Sequence, residues 1–224
     1  LAAYRSADNT RDIPGPAHDT GAKTLLNGMQ VPAGRTAGQD LESVIDSVFL
    51  HPNVGPFIGR RLIQRLVTSN PSPAYVARVA GAFNNNGTNV RGDMKAVIRA
   101  VLLDAEARSQ LTLRSPVFGK LREPVLNFVQ LHRAFNGVMT NGSYKSIWNL
   151  SGDENLNQAP LFAPSVFNFY HPDYGPPGVI ADNAYFAPEF EITTSSSLTG
   201  FADFSKWAVI GGFGQYETDS GKRI

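Results

Sequence analysis

The sequence predicts a mainly α fold, a multi-helix domain with long aromatic- and Pro/Gly-rich loops. Three observations carry that expectation. Apolar residues recur at helical spacing in five segments between Asp40 and Phe135, and again near the C-terminal end. Proline, asparagine or glycine closes most of these segments. The connectors between the first four are short, which favours antiparallel neighbours.

Residues 1–38 read as an irregular N-terminal segment, rich in Gly and Pro and weak in periodicity. Within it, Lys23–Gly28 reads as a short strand or turn of the kind that packs over something, such as a part of the chain missing here. A helical core is expected over 39–135. Its first helix, about Asp40 to Leu50, aligns Leu41, Val44, Ile45, Val48 and Phe49 on one face. Asp40, Glu42 and Asp46 suit its N-terminal side through the helix dipole. His51-Pro52 stops it, because the residue before proline is driven out of the α region.

The second helix, about Val54 to Thr68, carries the stripe Ile58, Leu62, Ile63 and Leu66, with Arg60, Arg61 and Arg65 lying mostly off it. Ser72 caps the third helix, with Pro73 in its first position. That helix runs to Asn84 and lines up Tyr75, Val76, Val79, Ala80 and Phe83. Asn84-Asn85-Asn86-Gly87 ends it, since Asn and Gly tolerate the left-handed conformation. The fourth, about Gly92 to Leu103, aligns Met94, Val97, Ile98, Val101 and Leu102. The fifth, Glu123 to Phe135, takes Pro124 in its first turn and buries residues among Val125, Leu126, Phe128, Val129 and Leu131. A long loop region packing on the core follows over 136–195, and loops of that length usually serve function or packing. A C-terminal helix covers 196–212, ended by Gly211-Gly212, and a polar tail covers 213–224.

Composition narrows the function classes. A chain of 224 residues buries roughly 70% of its unfolded surface and needs no staples. There is no cysteine, which excludes disulfides, thiolate metal sites and cysteine nucleophiles. The net charge of +1, with no basic stripe, gives no electrostatic pull toward nucleic acid or anionic lipid. No apolar run approaches the roughly 18–20 residues of a membrane span. The chain begins at Leu1 without a visible signal peptide and reads as a processed product or fragment.

Several separated phrases are distinctive. They are His18-Asp19-Thr20-Gly21-Ala22-Lys23, the stretch His51 to Arg108, and Gly119-Lys120-Leu121-Arg122-Glu123-Pro124-Val125. Further on come Gln158-Ala159-Pro160-Leu161 with Pro164-Ser165-Val166-Phe167-Asn168-Phe169, and then Ala187-Pro188-Glu189-Phe190. Together they resemble a bacterial family, domain of unknown function 1800, over nearly the whole chain. The resemblance implies the C-terminal part of a longer, exported (periplasmic or extracellular) protein, often encoded beside a sulfatase-like family. It implies no particular activity. The chain departs from the family pattern at Asn157, where Gly is common, and at Glu191, where Gln is usual.

The candidate chemistry is sparse. His18 beside Asp19, with Lys23 nearby, offers a base oriented by a carboxylate or a pair of metal ligands. His171, in the loop Tyr170-His171-Pro172-Asp173-Tyr174, is the other catalytic or metal candidate, with Asp173 as a further ligand. Loop hydrogen bonding explains the first stretch, and an aromatic-pinned loop over the helical core the second, more readily than chemistry does. His51 suits a helix C-terminus. No two histidines stand at i, i+4 on one helix, and no calcium loop, nucleophile elbow or phosphate loop is present. Arg122-Glu123 reads as a buried ion pair joining elements. Arg60, Arg61 and Arg65 would bind an anion unless carboxylates of the first and fourth helices neutralise them. Thr193 to Ser197 reads as a helix cap.

Two expectations for function result. One is a binding or assembly role for the helical part of an exported protein, with the missing N-terminal part or a sulfatase-like protein as partner. The other is an extracytoplasmic hydrolase-like enzyme, metal-dependent in one form, whose site a missing N-terminal part completes around His18 and His171. The sequence names no cofactor, no nucleic-acid partner and no transmembrane segment.

Overall fold

The computed structural model describes residues 18–136, 150, 152, 155–166 and 168–211, except the side chains at 207, 208 and 211. The expectations for residues 1–17, for Gly212 and for the tail 213–224 lie outside the described residues.

The chain is mainly helical. A two-stranded antiparallel hairpin, β1 (Lys23–Thr24) and β2 (Gln30–Val31), pairs Lys23 with Val31. Helices α1 (Ala37–Leu50), α2 (Val54–Leu66), α3 (Pro73–Asn84) and α4 (Met94–Leu103) follow, then the short α5 (Ala105–Arg108). Helix α6 spans Pro124–Ala134, a single turn α7 spans Val179–Asp182, and α8 spans Ser195–Gly211.

The core is the meeting of α2, α3 and α4. Ile63, Tyr75, Val79, Phe83, Val97 and Val101 are all buried there, as the helical stripes require. Each contributes roughly 1.5–3 kcal/mol of gross burial free energy. Two glycines on α2 let α3 come close. A Cβ at Gly59 would stand 3.1 Å from Val79 Cγ1, and one at Gly55 would stand 3.3 Å from the Ala80 carbonyl oxygen. The Tyr75 hydroxyl donates to the Val101 carbonyl at 2.5 Å, tying α3 to α4. A second cluster joins α6 to α8 through Phe128, Leu150, Leu156, Ala159, Phe201 and Phe204.

Helix α1 differs from its expectation at both its start and its face. It begins at Ala37 because Thr36 and Gln39 form a capping box, Gln39 N–H donating to Thr36 Oγ1 and Thr36 N–H to Gln39 Oε1. Leu41, Val44, Val48 and Phe49 are largely exposed, while Asp40 and Ser47 are buried. The helix turns its polar side toward the β1–β2 hairpin, where Ser47 Oγ donates to the Leu26 carbonyl at 3.4 Å. Arg91 ties the far end down by donating to the carbonyls of Phe49 and His51.

The end of α3 also differs in mechanism. Asn85 is extended (φ −156°), and the left-handed positions come later, at Gly87 and Asn89. Asn85 and Asn86 stop the helix with their side chains: Asn85 Oδ1 accepts from Gly87 and Asn89, and Asn86 Oδ1 from Thr88 and Val90. Asn86 Nδ2 then donates to Asp93, which caps α4 by accepting from Lys95 and Ala96. Ser72 caps α3 by accepting from Tyr75 N–H. Thr194 likewise caps α8 by accepting from Ser197 N–H.

The long segment after α6 lies against α2 and its C-terminal turn. Asn70 and Phe186 exchange two hydrogen bonds, at 2.9 and 2.8 Å. Gln64 Nε2 donates to the Pro172 carbonyl at 3.2 Å. Among the described residues, no helix is long and apolar enough to cross a membrane.

Candidate functional site

Phe57, Arg61, Gln64 and Arg65 recur at helical spacing along one face of α2. Opposite them stand Val166, Asn168, Tyr170, Pro172, Pro188 and Glu189 of the long segment. The cleft between has a volume of about 470 Å³, within the range of small-molecule sites.

A buried ionic network adjoins this cleft. Glu123, the residue before α6, is fully buried, and its Oε1 meets Arg65 at 2.7 Å. Its Oε2 accepts from Gln158 Nε2 at 2.6 Å. Glu189 is equally buried, and its Oε1 meets Lys120 Nζ at 2.7 Å. Lys120 also donates to the Arg65 carbonyl at 2.9 Å, linking the two pairs. A buried charge survives only when paired and hydrogen-bonded, and this set matches two carboxylates to two cations.

Tyr170 completes the network by accepting from Arg65. Burial pushes its phenol well above the usual range. Arg65 opposes that rise, and the carboxylates of Glu123 and Glu189 add to it. Tyr170 therefore stays protonated and neutral.

The approach of Lys120 and Glu123 to α2 depends on Gly119. Its φ of +113° is a conformation reserved for glycine, and its N–H and C=O engage Thr68 Oγ1 and Ser69 N–H, each at 2.9 Å. Glu123 thus pairs with Arg65 of another helix, and its sequence neighbour Arg122 is exposed. Among the described residues, none of the three α2 arginines meets a carboxylate of α1 or α4. Arg60 lies 5.4 Å from the Phe186 ring, and Arg61 lies 5.4 Å from the Phe57 ring.

The sequence candidates fall elsewhere. His18 Nε2 lies 3.2 Å from Asp40 Oδ2, which also receives Lys23 at 2.9 Å, while Arg35 meets Oδ1 at 3.3 Å. Hydrogen bonding by Lys23, aided by the charges of Lys23, His18 and Arg35, holds the Asp40 carboxyl below its usual range against the opposing effect of burial. Asp19 instead turns its own loop, accepting from Gly21 N–H at 2.8 Å.

His171 is exposed and pairs with Glu191, Nδ1 to Oε1 at 2.8 Å. Asp173 is exposed as well. His51 accepts from Asn53 N–H at its Nδ1, a role that requires that nitrogen to carry no hydrogen. The His132 ring packs against Phe128. Among the described residues, no three of His, Cys, Asp and Glu gather as metal ligands.

Sequence reasoning passed over Lys120, Gln158 and Glu189. Their signal was their position: each lies in a phrase already singled out as distinctive. Both departures from the usual phrasing also have local causes. Asn157 has φ of +50°, where glycine is at ease and asparagine is among the residues that best tolerate the strain. Glu191 provides the carboxylate that His171 faces.

A family model described as "Protein of unknown function (DUF1800)" matches residues 3–219. No curated protein and no solved structure matches the chain.

Proposed function

The chain belongs to the DUF1800 family, and from that premise we propose that it is the binding part of an exported bacterial protein, with the cleft on α2 as its ligand site. One observation carries this reading. Phrases that are far apart in sequence, and by which the chain resembles its family, converge on a single place. Arg65, Lys120, Glu123, Gln158 and Glu189 form one network, and Val166 and Asn168 line the cleft beside it. Scaffold packing alone calls for apolar side chains at such positions, because a buried ion pair is a poor source of stability. A rigid polar wall beside an open cleft suits recognition.

The assembly part of the proposal draws on α1, whose Leu41, Val44 and Val48 are exposed along one side. A missing N-terminal part or a sulfatase-like protein is the partner this reading supplies.

A hydrolase-like enzyme is the second reading, favoured by two buried carboxylates beside a cleft. Each of those carboxylates is matched by a cation, which suits positioning better than proton transfer.

A thermal-shift screen of small metabolites on the wild type and on Val166→Trp tests the binding reading. Val166 is exposed and lines the cleft, so a tryptophan there blocks it without loading the core. Ligands that stabilise the wild type and not the variant are expected. Hits that stabilise both equally, or no hits, sink the reading. Turnover of a hit would move the assignment to the enzyme.

A further inference from the structure

We propose that the cleft takes a small hydroxylated acid, its anionic group on Arg61 and a hydroxyl donated to Glu189. This rests on the binding reading above and specifies its ligand.

Charge matching makes Arg61 the odd member of the site. Arg65 is matched by Glu123, and Lys120 by Glu189. Arg61 is half-buried and meets no carboxylate among the described residues. Its Nη1 donates to Gln64 Oε1 at 2.9 Å, and its guanidinium stands over Phe57. Gln64 is itself fixed, its Nε2 donating to the carbonyls of Ser69 and Pro172. Arg61 is therefore a held cation with free donors at the cleft wall, the geometry that suits a carboxylate or another oxyanion.

Glu189 supplies the second point of recognition. It lines the cleft and is 1% exposed, and its Oε2 is buried without a hydrogen-bond donor among the described residues. A buried carboxylate oxygen left without a donor is costly, so it selects a ligand that brings one. Oε1 already carries the Lys120 ammonium at 2.7 Å, and a second ammonium beside it would be repelled. A neutral O–H fits where an amine does not. The cleft of about 470 Å³ has room for a six-carbon chain.

Three probes of matched length separate the two contacts: gluconate carries charge and hydroxyls, glucose hydroxyls alone, and hexanoate charge alone. Titrations of the ¹⁵N-labelled chain should show saturable shifts at cleft amides with gluconate. Glucose and hexanoate should bind at least about tenfold more weakly, a loss of one good contact. Arg61→Gln should weaken gluconate by a similar factor and leave glucose unchanged, while Arg61→Lys should restore part of the loss. Glucose matching gluconate, or Arg61→Gln binding as the wild type does, overturns the anion contact. Hexanoate matching gluconate overturns the hydroxyl contact. If screening hits are blocked by Val166→Trp yet gluconate causes no shift, this ligand class is wrong and the binding reading stands. If neither occurs, both fall.

Discussion

Glu123 and Arg65 meet at 2.7 Å across two helices, the carboxylate fully buried and the guanidinium half-exposed. The pair joins the start of α6 to the end of α2 and so fixes one wall of the cleft. Its energetics are lopsided. Replacing both partners by uncharged groups costs little, whereas removing one leaves the other's charge stranded.

Arg65→Met should therefore destabilise the chain by about 2 kcal/mol, below the usual cost for a wholly buried pair because Arg65 keeps solvent contact. Adding Glu123→Gln to that variant should recover part of the loss. Urea denaturation of the two single variants and the double checks this. Strictly additive losses would mean the two side chains are not coupled.

Gly59 and Gly81 should respond in opposite directions. Gly59→Val forces a side chain into Val79, already 3.1 Å from an ideal Cβ, and should cost about 2 kcal/mol by overpacking. Gly81→Ala, on α3 with nothing within 4 Å, should gain about 0.5–1 kcal/mol from helix propensity. Thermal melts of both variants give the comparison. A stabilising Gly59→Val would show that α2 and α3 are not in close contact.

Tyr75 makes alkaline stability pH-dependent. Burial, then the charges of Asp104 and Glu106, push its phenol up to about 12 against the opposing effect of Arg78. Between its ordinary value of 10.0 and about 12, the unfolded chain loses the proton and the folded chain keeps it. The contribution is thus fully present below pH 10 and is lost as pH rises toward 12. Tyr75→Phe should be less stable at pH 7, by about 1 kcal/mol for the lost bond to Val101. Its stability should fall less steeply over that window, as urea midpoints at pH 9 to 12 would record.

Asp40 acts at the acid end. Its carboxyl is held below its ordinary value of 3.8, first by Lys23, so the folded chain stays ionised where the unfolded chain takes up a proton. This contribution is present above pH 3.8 and is lost as pH falls through the lower folded value. Asp40→Asn should show a shallower loss of stability below pH 4 than the wild type in acid titrations followed by circular dichroism. An unchanged slope would remove Asp40 as the hub of the hairpin and α1.

Much of the scaffold was legible in the sequence because helix signals are local. Most of the stripes of α2, α3 and α4 became the core, with Leu66, Met94 and Leu102 left exposed at their edges; Ser72-Pro73 started α3, and the hydroxyl run before α8 became its cap. Asp93 at the start of α4 and Thr36 before α1 show where local signals fall short, since periodicity alone starts the fourth helix at about Gly92 and the first at about Asp40. The apolar side of α1 was legible as a pattern, yet the structure exposes most of it and turns Asp40 and Ser47 inward. Periodicity names a face but not its partner.

The sequence by itself determined a helical chain without cysteine, the positions of its main helices, and a resemblance that the family match bears out. Tertiary structure alone decided the site. Arg65, Lys120, Glu123, Gln158, Tyr170 and Glu189 come from α2, the approach to α6 and the long segment, and no spacing rule links them. A helix forms from neighbours three and four residues apart. A buried ion network forms between residues that meet only after the chain has folded, and its partners are chosen by desolvation, which acts across space rather than along the sequence.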